Sequence, residues 1–407
     1  MLYNYSTTNF TGLQDLIIKN IDNLGEKLFI SAELQRKPHK CPSCGEMTDK
    51  IHDYRTQIIK DTPAFGLFVL ISLRKRRYVC PHCKKRFYEN IQFLPKYHRM
   101  TNRLSAWVIR LLEDVRSFSS VAREVNLSVS TVIRIFDVVG YSKPDCPSRV
   151  LAIDEFKGNT GNEKYQCILT DPETGIVLDI LPNRKTGYLI KYFKEWESDK
   201  REKVKCFVSD MWQPYTDLAA IFFKNSKSII DRYHFIRQII WAFEDVRKSE
   251  QKKFSKRNRL LFKNSKRILT RRADKLKGYQ KERVNSILYI SDKLRTAYYL
   301  KEQFYEVVDA PDRIEARDLM LKWIYAAQES GLNEYIKCSN TLINWQSGIL
   351  NSFETPYTNG FTEGCNNKIK VLKRTAYGYR NFKRFRNRIL HIFNCKKKED
   401  NTENEVA

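Results

Sequence analysis

Asp154 closes the apolar run VLAID at residues 150–154, and Asp210 closes a second, VKCFVSD, at residues 204–210. Each carboxylate stands at the carboxyl end of a short β-branched segment that reads as a strand. If the two strands are sheet neighbours, the two acids sit side by side. Close anions repel unless cations bridge them, and hard oxygen ligands select Mg²⁺ or Mn²⁺. A third acid should complete such a site. Glu363, in NGFTEGCNNKIKVLKR, is the best candidate because it begins an otherwise acid-free helix. Lys370 and Arg374 follow at roughly two and three turns, on or near its face, where they would hold DNA against the metals. The chemistry of this triad is phosphoryl transfer with two metals per site, one activating a water or a 3′-hydroxyl and the other stabilising the leaving oxygen. No Gly-rich phosphate loop is present, which disfavours nucleotide hydrolysis.

A second set of residues reads as a metal site of another kind. Cys41 and Cys44 in KCPSCG and Cys80 and Cys83 in VCPHCK repeat one Cys-Pro-x-Cys form, the knuckle spacing that wraps two thiolates around a tetrahedral Zn²⁺. The intervening stretch contains IIKDTPAFGLFVLISLRKRRYV, a hairpin pattern that would bring the pairs together. His82 lies inside the second knuckle, but four thiolates already complete the shell.

The surrounding elements must position these groups. Residues 102–138 are helical in pattern, and SFSSVAREVNLSVSTVIRIFD has the grammar of a helix-turn-helix. Val121, Ala122 and Val125 form one apolar face, Asn126, Leu127 and Ser128 the turn, and Val129, Val132 and Ile133 anchor the second helix. Ser128, Ser130, Thr131 and Arg134 would face outward, toward phosphates and base edges in the major groove. Ser142, Pro144, Pro147 and Ser148 mark a linker, after which the order of elements reads βββαβαβα. From about Phe235 to Leu350 apolar residues recur at helical spacing. Within this block residues 247–283 carry 16 Lys/Arg and 3 Asp/Glu, and residues 368–398 carry 12 Lys/Arg and no acid. Both read as tracks for a phosphate backbone.

Composition agrees with that partner. The chain has 407 residues and a formal net charge of +26, with 42% hydrophobic and 13% aromatic residues, enough for several cores. The longest apolar stretch, residues 65–73, is far short of the ~20 residues of a membrane span, and the amino terminus lacks a secretory pattern. Ten cysteines, of which four are matched in pairs, suit a reducing compartment and a metal better than disulfides.

The runs AIDEF, VSDMWQPY, DRYHFIR and NGFTEGCNNKIKVLKR resemble a bacterial DDE transposase of the ISL-three insertion-sequence family, over roughly residues 38–395. The resemblance implies a zinc-ribbon-like amino terminus, a helix-turn-helix, and a ribonuclease-H-like mixed sheet core interrupted by an all-helical insertion domain. It implies that Asp154, Asp210 and Glu363 are the catalytic acids, and it selects Asp154 over the adjacent Glu155. The Asp231 and His234 pair resembles an Asp-x-x-His motif of insertion-bearing relatives, and a hydrogen-bonded structural histidine is the alternative.

The expected divisions are 1–98 zinc-binding, 99–141 helix-turn-helix, 142–149 linker, 150–234 first part of the core, 235–350 insertion, 351–395 carboxyl-terminal core, and 396–407 disordered tail. The expected activity is binding of terminal inverted repeats followed by strand cleavage and transfer into target DNA, by a homodimer or larger homo-oligomer located in the cytoplasm at the nucleoid. One rival is a zinc-dependent DNA-binding regulator with a non-catalytic dimerising core; the intact acids argue against it. An RNA-binding protein is a weaker alternative, since no aromatic RNA-recognition signature is present. Trp212, Trp241, Trp323 and Trp345 are assigned no role, core packing and base stacking both being open.

Overall fold

The structure, a computed structural model, describes residue 13 and residues 15–394. The expected disordered tail at 396–407 lies outside the described residues. The chain divides into two compact units. One holds the residues up to Tyr141 with Val371–Tyr379 and the residues from Lys383 onward; the other holds Ser142–Lys370 with Arg380–Phe382.

The first unit is built on a five-stranded sheet. Strands β1 (Leu16–Leu24), β2 (Lys27–Leu34), β5 (Ile51–Lys60) and β6 (Phe68–Val79) take the order β1-β2-β6-β5, and β7 (Arg86–Tyr88) pairs with the end of β6. Alternate residues of β6 are buried, so Val69, Ile71 and Leu73 face a core shared with Leu16, Ile30 and Ile59. The expected hairpin between the cysteine pairs is β5 and β6, antiparallel from Ile51↔Tyr78 to Lys60↔Leu70. A short ladder of β3 (His39–Lys40) and β4 (Met47–Thr48) carries the first knuckle.

Three helices follow: α1 (Asn102–Leu111), α2 (Phe118–Glu124) and α3 (Val129–Phe136). Their amino termini are capped by Thr101, Ser117 and Ser128, each hydroxyl accepting from the backbone N–H three residues on. The turn between α2 and α3 places Asn126 at φ +51°, a left-handed conformation that asparagine tolerates.

The second unit opens with an antiparallel meander, β8 (Val150–Thr160), β9 (Glu163–Asp171) and β10 (Ile176–Leu181), as the sequence pattern predicts. Then come α4 (Thr186–Lys194), the one-turn α5 (Ser198–Arg201), β11 (Cys206–Ser209), α6 (Gln213–Phe222) and β12 (Lys227–Ile230). The sheet order is β10-β9-β8-β11-β12, with β8, β11 and β12 mutually parallel. Where they pair, Val150–Ile153 of β8, Cys206–Val208 of β11 and Ile229 and Ile230 of β12 are apolar and buried, as parallel strands covered on both faces require.

Beyond β12 the described chain is helical up to Asn351: α7 (Arg232–Lys252), α8 (Lys256–Asn264), α9 (Lys266–Thr270), a 3₁₀ turn, α10 (Gly278–Ile290), α11 (Asp292–Val308), α12 (Arg313–Glu329), α13 (Asn333–Asn344) and α14 (Gln346–Asn351). Phe235, Phe243, Phe304, Trp323 and Tyr335 fill their common core. Trp323 is fully buried, and its indole N–H donates to the Leu300 carbonyl.

Two helices close the described chain, α15 (Gly360–Thr375) and α16 (Phe382–Asn394). By compactness α16 groups with the first unit from Lys383 onward. Arg388 is fully buried there and donates to the carbonyls of Leu112, Asp114 and Arg116 in the loop that follows α1. Arg384 holds Asp137 through two hydrogen bonds of 2.7 Å.

Candidate active site and nucleic-acid interface

Strand register lines up three aspartates. Val208 pairs with Ala152, so Asp210 and Asp154, each two residues on, stand level on adjacent parallel strands. Ser209 pairs with Ile230, so Asp210 and Asp231, each one residue on, stand level on the next pair. His234, in the first turn of α7, brings its Nε2 to 2.7 Å from Asp210 Oδ1. The contact is not a regular hydrogen bond, and Asp210 Oδ1 is buried without a donor.

Glu363 reaches the same region from α15. That helix buries Thr362, Cys365, Asn366 and Ile369 and leaves Glu363, Lys370 and Arg374 exposed. The Thr362 hydroxyl meets that of Thr170 on β9 at 2.7 Å, and Asn366 Nδ2 donates to Asp154 Oδ2 at 2.7 Å. Glu363 is therefore one turn from the residue that grips Asp154. The carboxylates converge less tightly than the thiols: among the described residues only the four cysteines bring three or more metal-binding atoms all within 4.8 Å of one another.

The electrostatics are those of uncompensated negative charge. Burial pushes the Asp154 carboxyl up to about 7, and the neighbouring Asp210 charge adds to it. Burial also raises Asp231, with His234 opposing and Asp210 and Glu363 reinforcing the rise. Glu155 is raised by burial too, yet its carboxylate points away to Arg184 at 2.6 Å. Its backbone N–H donates to Asp154 Oδ1. A buried carboxylate oxygen without a donor, in an all-oxygen acidic set, fits a hard divalent cation.

Sequence reasoning missed Asn366 and Arg184. Asn366 left a signal, a polar residue on the apolar stripe of α15. Arg184 left none, being one cation in a loop whose partner is set only by folding.

The zinc module is closed by geometry. Cys41 Sγ lies 3.5 Å from Cys83 Sγ, and Cys44 Sγ lies 3.5 Å from Cys80 Sγ. Tetrahedral bonds of ~2.3 Å require sulfur separations of about 3.8 Å, so a Zn²⁺ fits with small adjustment. The two knuckles are backbone copies: Cys41 N–H donates to Glu46 O and Gly45 N–H to Cys41 O, while Cys80 N–H donates to Lys85 O and Lys84 N–H to Cys80 O. The Cys44 amide draws the Cys41 thiol down to about 6. Cys44 itself, despite the Glu46 amide, is driven to about 12 by burial and the other sulfurs, as four would-be anions in one small volume demand.

On the helix-turn-helix, Ser130 and Arg134 are exposed and Thr131 is half-buried. Ser128 is also exposed, but its hydroxyl caps α3 by accepting from Thr131 N–H. Val129, expected to anchor α3, is 39% exposed, and Val132 with Phe136 does the anchoring instead. The basic tracks are thinner than their composition suggests. Arg247 is buried against Glu244, and Arg384, Arg386 and Arg388 are spent on protein groups. Lys256, Arg257, Arg259, Lys263, Arg267 and Arg271 are exposed. Among the described residues no helix is long and apolar enough to cross a membrane.

Comparison with known proteins agrees with these modules. A transposase family model matches residues 151–389. A model for the helix-turn-helix domain of transposase family ISL3 matches residues 89–138, and one for the zinc-finger of transposase IS204/IS1001/IS1096/IS1165 matches residues 37–83. The chain is 27% identical over 364 residues to the transposase for insertion sequence element IS1001 of Bordetella parapertussis, across 88% of this chain and 89% of that protein. A local match of 107 residues, 34% identical, links it to an ATP-dependent protease of Lactococcus lactis subsp. lactis, covering 26% of this chain and 33% of that protein.

Proposed function

The chain belongs to the ISL3 family of transposases, and from that premise we propose that Asp154, Asp210 and Glu363 are the catalytic acids of a ribonuclease-H-like core, interrupted between β12 and α15 by a helical insertion. The observation that carries this reading is the strand register that sets Asp154 beside Asp210, with α15 docked on Asp154 through Asn366. Two divalent cations, Mg²⁺ or Mn²⁺, held by the three acids would supply activation of a water or 3′-hydroxyl and stabilisation of the leaving oxygen.

The protein's own groups do the rest. Asn366 fixes the orientation of Asp154, and His234 stands against Asp210 from the first turn of α7, with Asp231 in the same acidic row. Exposed Lys370 and Arg374 offer cations to the DNA backbone along the helix that carries Glu363. Ser130, Thr131 and Arg134, positioned by the Ser128 cap, meet the terminal inverted repeat in its major groove. The zinc module holds the amino-terminal end of the recognition region. Joining two DNA ends requires at least a dimer.

The test is cleavage and strand transfer on a labelled duplex bearing the element's own flanking repeat, with Mg²⁺ or Mn²⁺. Asp210→Asn and Glu363→Gln should lose metal-dependent nicking and joining while still binding the duplex. Full cleavage by either variant would remove that residue from the triad.

A further inference from the structure

The basic run at residues 368–398 reads as a phosphate track, yet three arginines of α16 are turned toward the protein. The helix sets Phe385, Arg388, Ile389 and Ile392 on one stripe, at i, i+3, i+4 and i+7, and all four are buried. A charge in the middle of an apolar stripe needs partners, and Arg388 finds them on the helix-turn-helix. Its guanidinium donates to the carbonyls of Leu112, Asp114 and Arg116. It also lies over the rings of Phe118 in α2 and Phe136 in α3, at 5.7 and 5.4 Å from their centroids.

The far end of α3 is held as well. Asp137 is its C-cap, a position where the helix dipole disfavours a carboxylate. Arg384 meets both oxygens of that carboxylate at 2.7 Å, in a fork. Just beyond, Asn387 donates to the Val139 carbonyl at 2.8 Å and Arg386 to that of Tyr141 at 2.7 Å. His391, pushed toward its neutral form by burial, donates from Nε2 to the Ile109 carbonyl at 3.0 Å and accepts the Tyr141 hydroxyl at Nδ1, at 2.8 Å. One helix thus touches α1, the loop after it and the carboxyl end of α3. The opposite side of α3, with Ser130 and Arg134, stays exposed.

A recognition helix reads base edges with its first residues, so its tilt decides which bases they meet. We propose that α16 serves DNA recognition indirectly, as the clamp that sets the tilt of α3, with Arg384 and Arg388 as positioning residues. The proposal rests on the reading of α3 as the helix that meets the terminal repeat. It gives these arginines a part in sequence selectivity rather than in phosphate contact, although Arg384 lies 247 positions from its partner Asp137.

The Arg384–Asp137 pair allows a test that spares the fold, because both side chains are partly exposed, at 27% and 44%, and such pairs contribute little to stability. The full chain, without Mg²⁺ or Mn²⁺, is titrated with two duplexes of equal length, the element's own repeat and a scrambled repeat, and selectivity is the ratio of the two affinities. Arg384→Asp and Asp137→Arg each set like charges against one another. Each should lower selectivity about five- to 100-fold, the worth of one good base contact. The exchange Arg384→Asp with Asp137→Arg should restore most of it. The single variants change the net charge in opposite directions. If Asp137 were only a surface charge, Asp137→Arg would tighten binding to both duplexes and leave their ratio alone.

Selectivity kept by both single variants, or lost in them and not restored by the exchange, would overturn the proposal. Failure of the underlying reading looks different: a wild-type chain that prefers neither duplex removes α3 as the reader of the repeat, and the clamp's role with it, before any variant is made.

Discussion

Asp154 is the residue whose environment differs most from water in a way that matters for chemistry. It is buried beside a second carboxylate, and its carboxyl is raised to about 7. The sign of the consequence follows from proton linkage. The folded chain holds a proton on Asp154 that the unfolded chain has released, between about pH 4 and about pH 7, so folding stability falls as pH rises through that window. With metals chelated, Asp154→Asn should flatten the slope and make the variant more stable than wild type at about pH 8, by at most about 4 kcal/mol, with little difference at about pH 4. Glu155 and Asp231 shift the same way, so part of the slope should persist. Urea titrations across this range measure it, and an unchanged slope in the variant would place the coupling elsewhere. The placement of Asp154 and Asp210 on neighbouring strands was legible because each ends an apolar run. The grip of Asn366 on Asp154 was not, since it joins residues 212 positions apart.

At the scale of elements, one serine separates two meanings of an exposed polar residue. Ser128 lies in the region expected to meet DNA, but its hydroxyl accepts from Thr131 N–H and so caps α3. Ser128→Ala should destabilise the first unit by about 1 kcal/mol, whereas Arg134→Ala should weaken binding to the repeat and leave the melting transition in place. If Ser128→Ala binds more weakly with no loss of stability, the residue contacts DNA directly. The zinc knuckles present the complementary case. They splice β3 to β4 and β6 to β7 through matching backbone turns, so Cys80→Ser should lower zinc content below one per chain and loosen the β6–β7 end of the sheet while Asp154 and Asp210 are untouched. Metal analysis with proteolysis near Arg86 checks this, and full zinc content in the variant would exclude Cys80 as a ligand.

For the molecule as a whole, the net charge of +26 overstates the surface available to DNA. Arg247 and Arg388 are buried, and Arg384 is paired with Asp137. The exposed cations of α8, Lys256, Arg257, Arg259 and Lys263, have no carboxylate within 4.0 Å among the described residues. Affinity for duplex DNA should fall steeply with salt, and replacing these four by Gln should lower the slope of log K against log[salt] by up to about 3.6, each phosphate contact contributing about 0.9. An unchanged slope would show that α8 is not the track.

What the sequence determined by itself was local: strands from β-branched runs, helices from apolar spacing and serine or threonine caps, and a zinc module from two copies of one four-residue pattern. The residue types of the candidate site were visible for the same reason, since an acid at a strand end or four paired cysteines need only a few neighbours to be noticed. What the tertiary structure decided was which groups meet. Register set Asp154, Asp210 and Asp231 in one row, and the loop after α1 met Arg388 of α16, more than 270 positions away. A pairing between distant residues carries no local signal, because it is selected by the free energy of packing the whole unit.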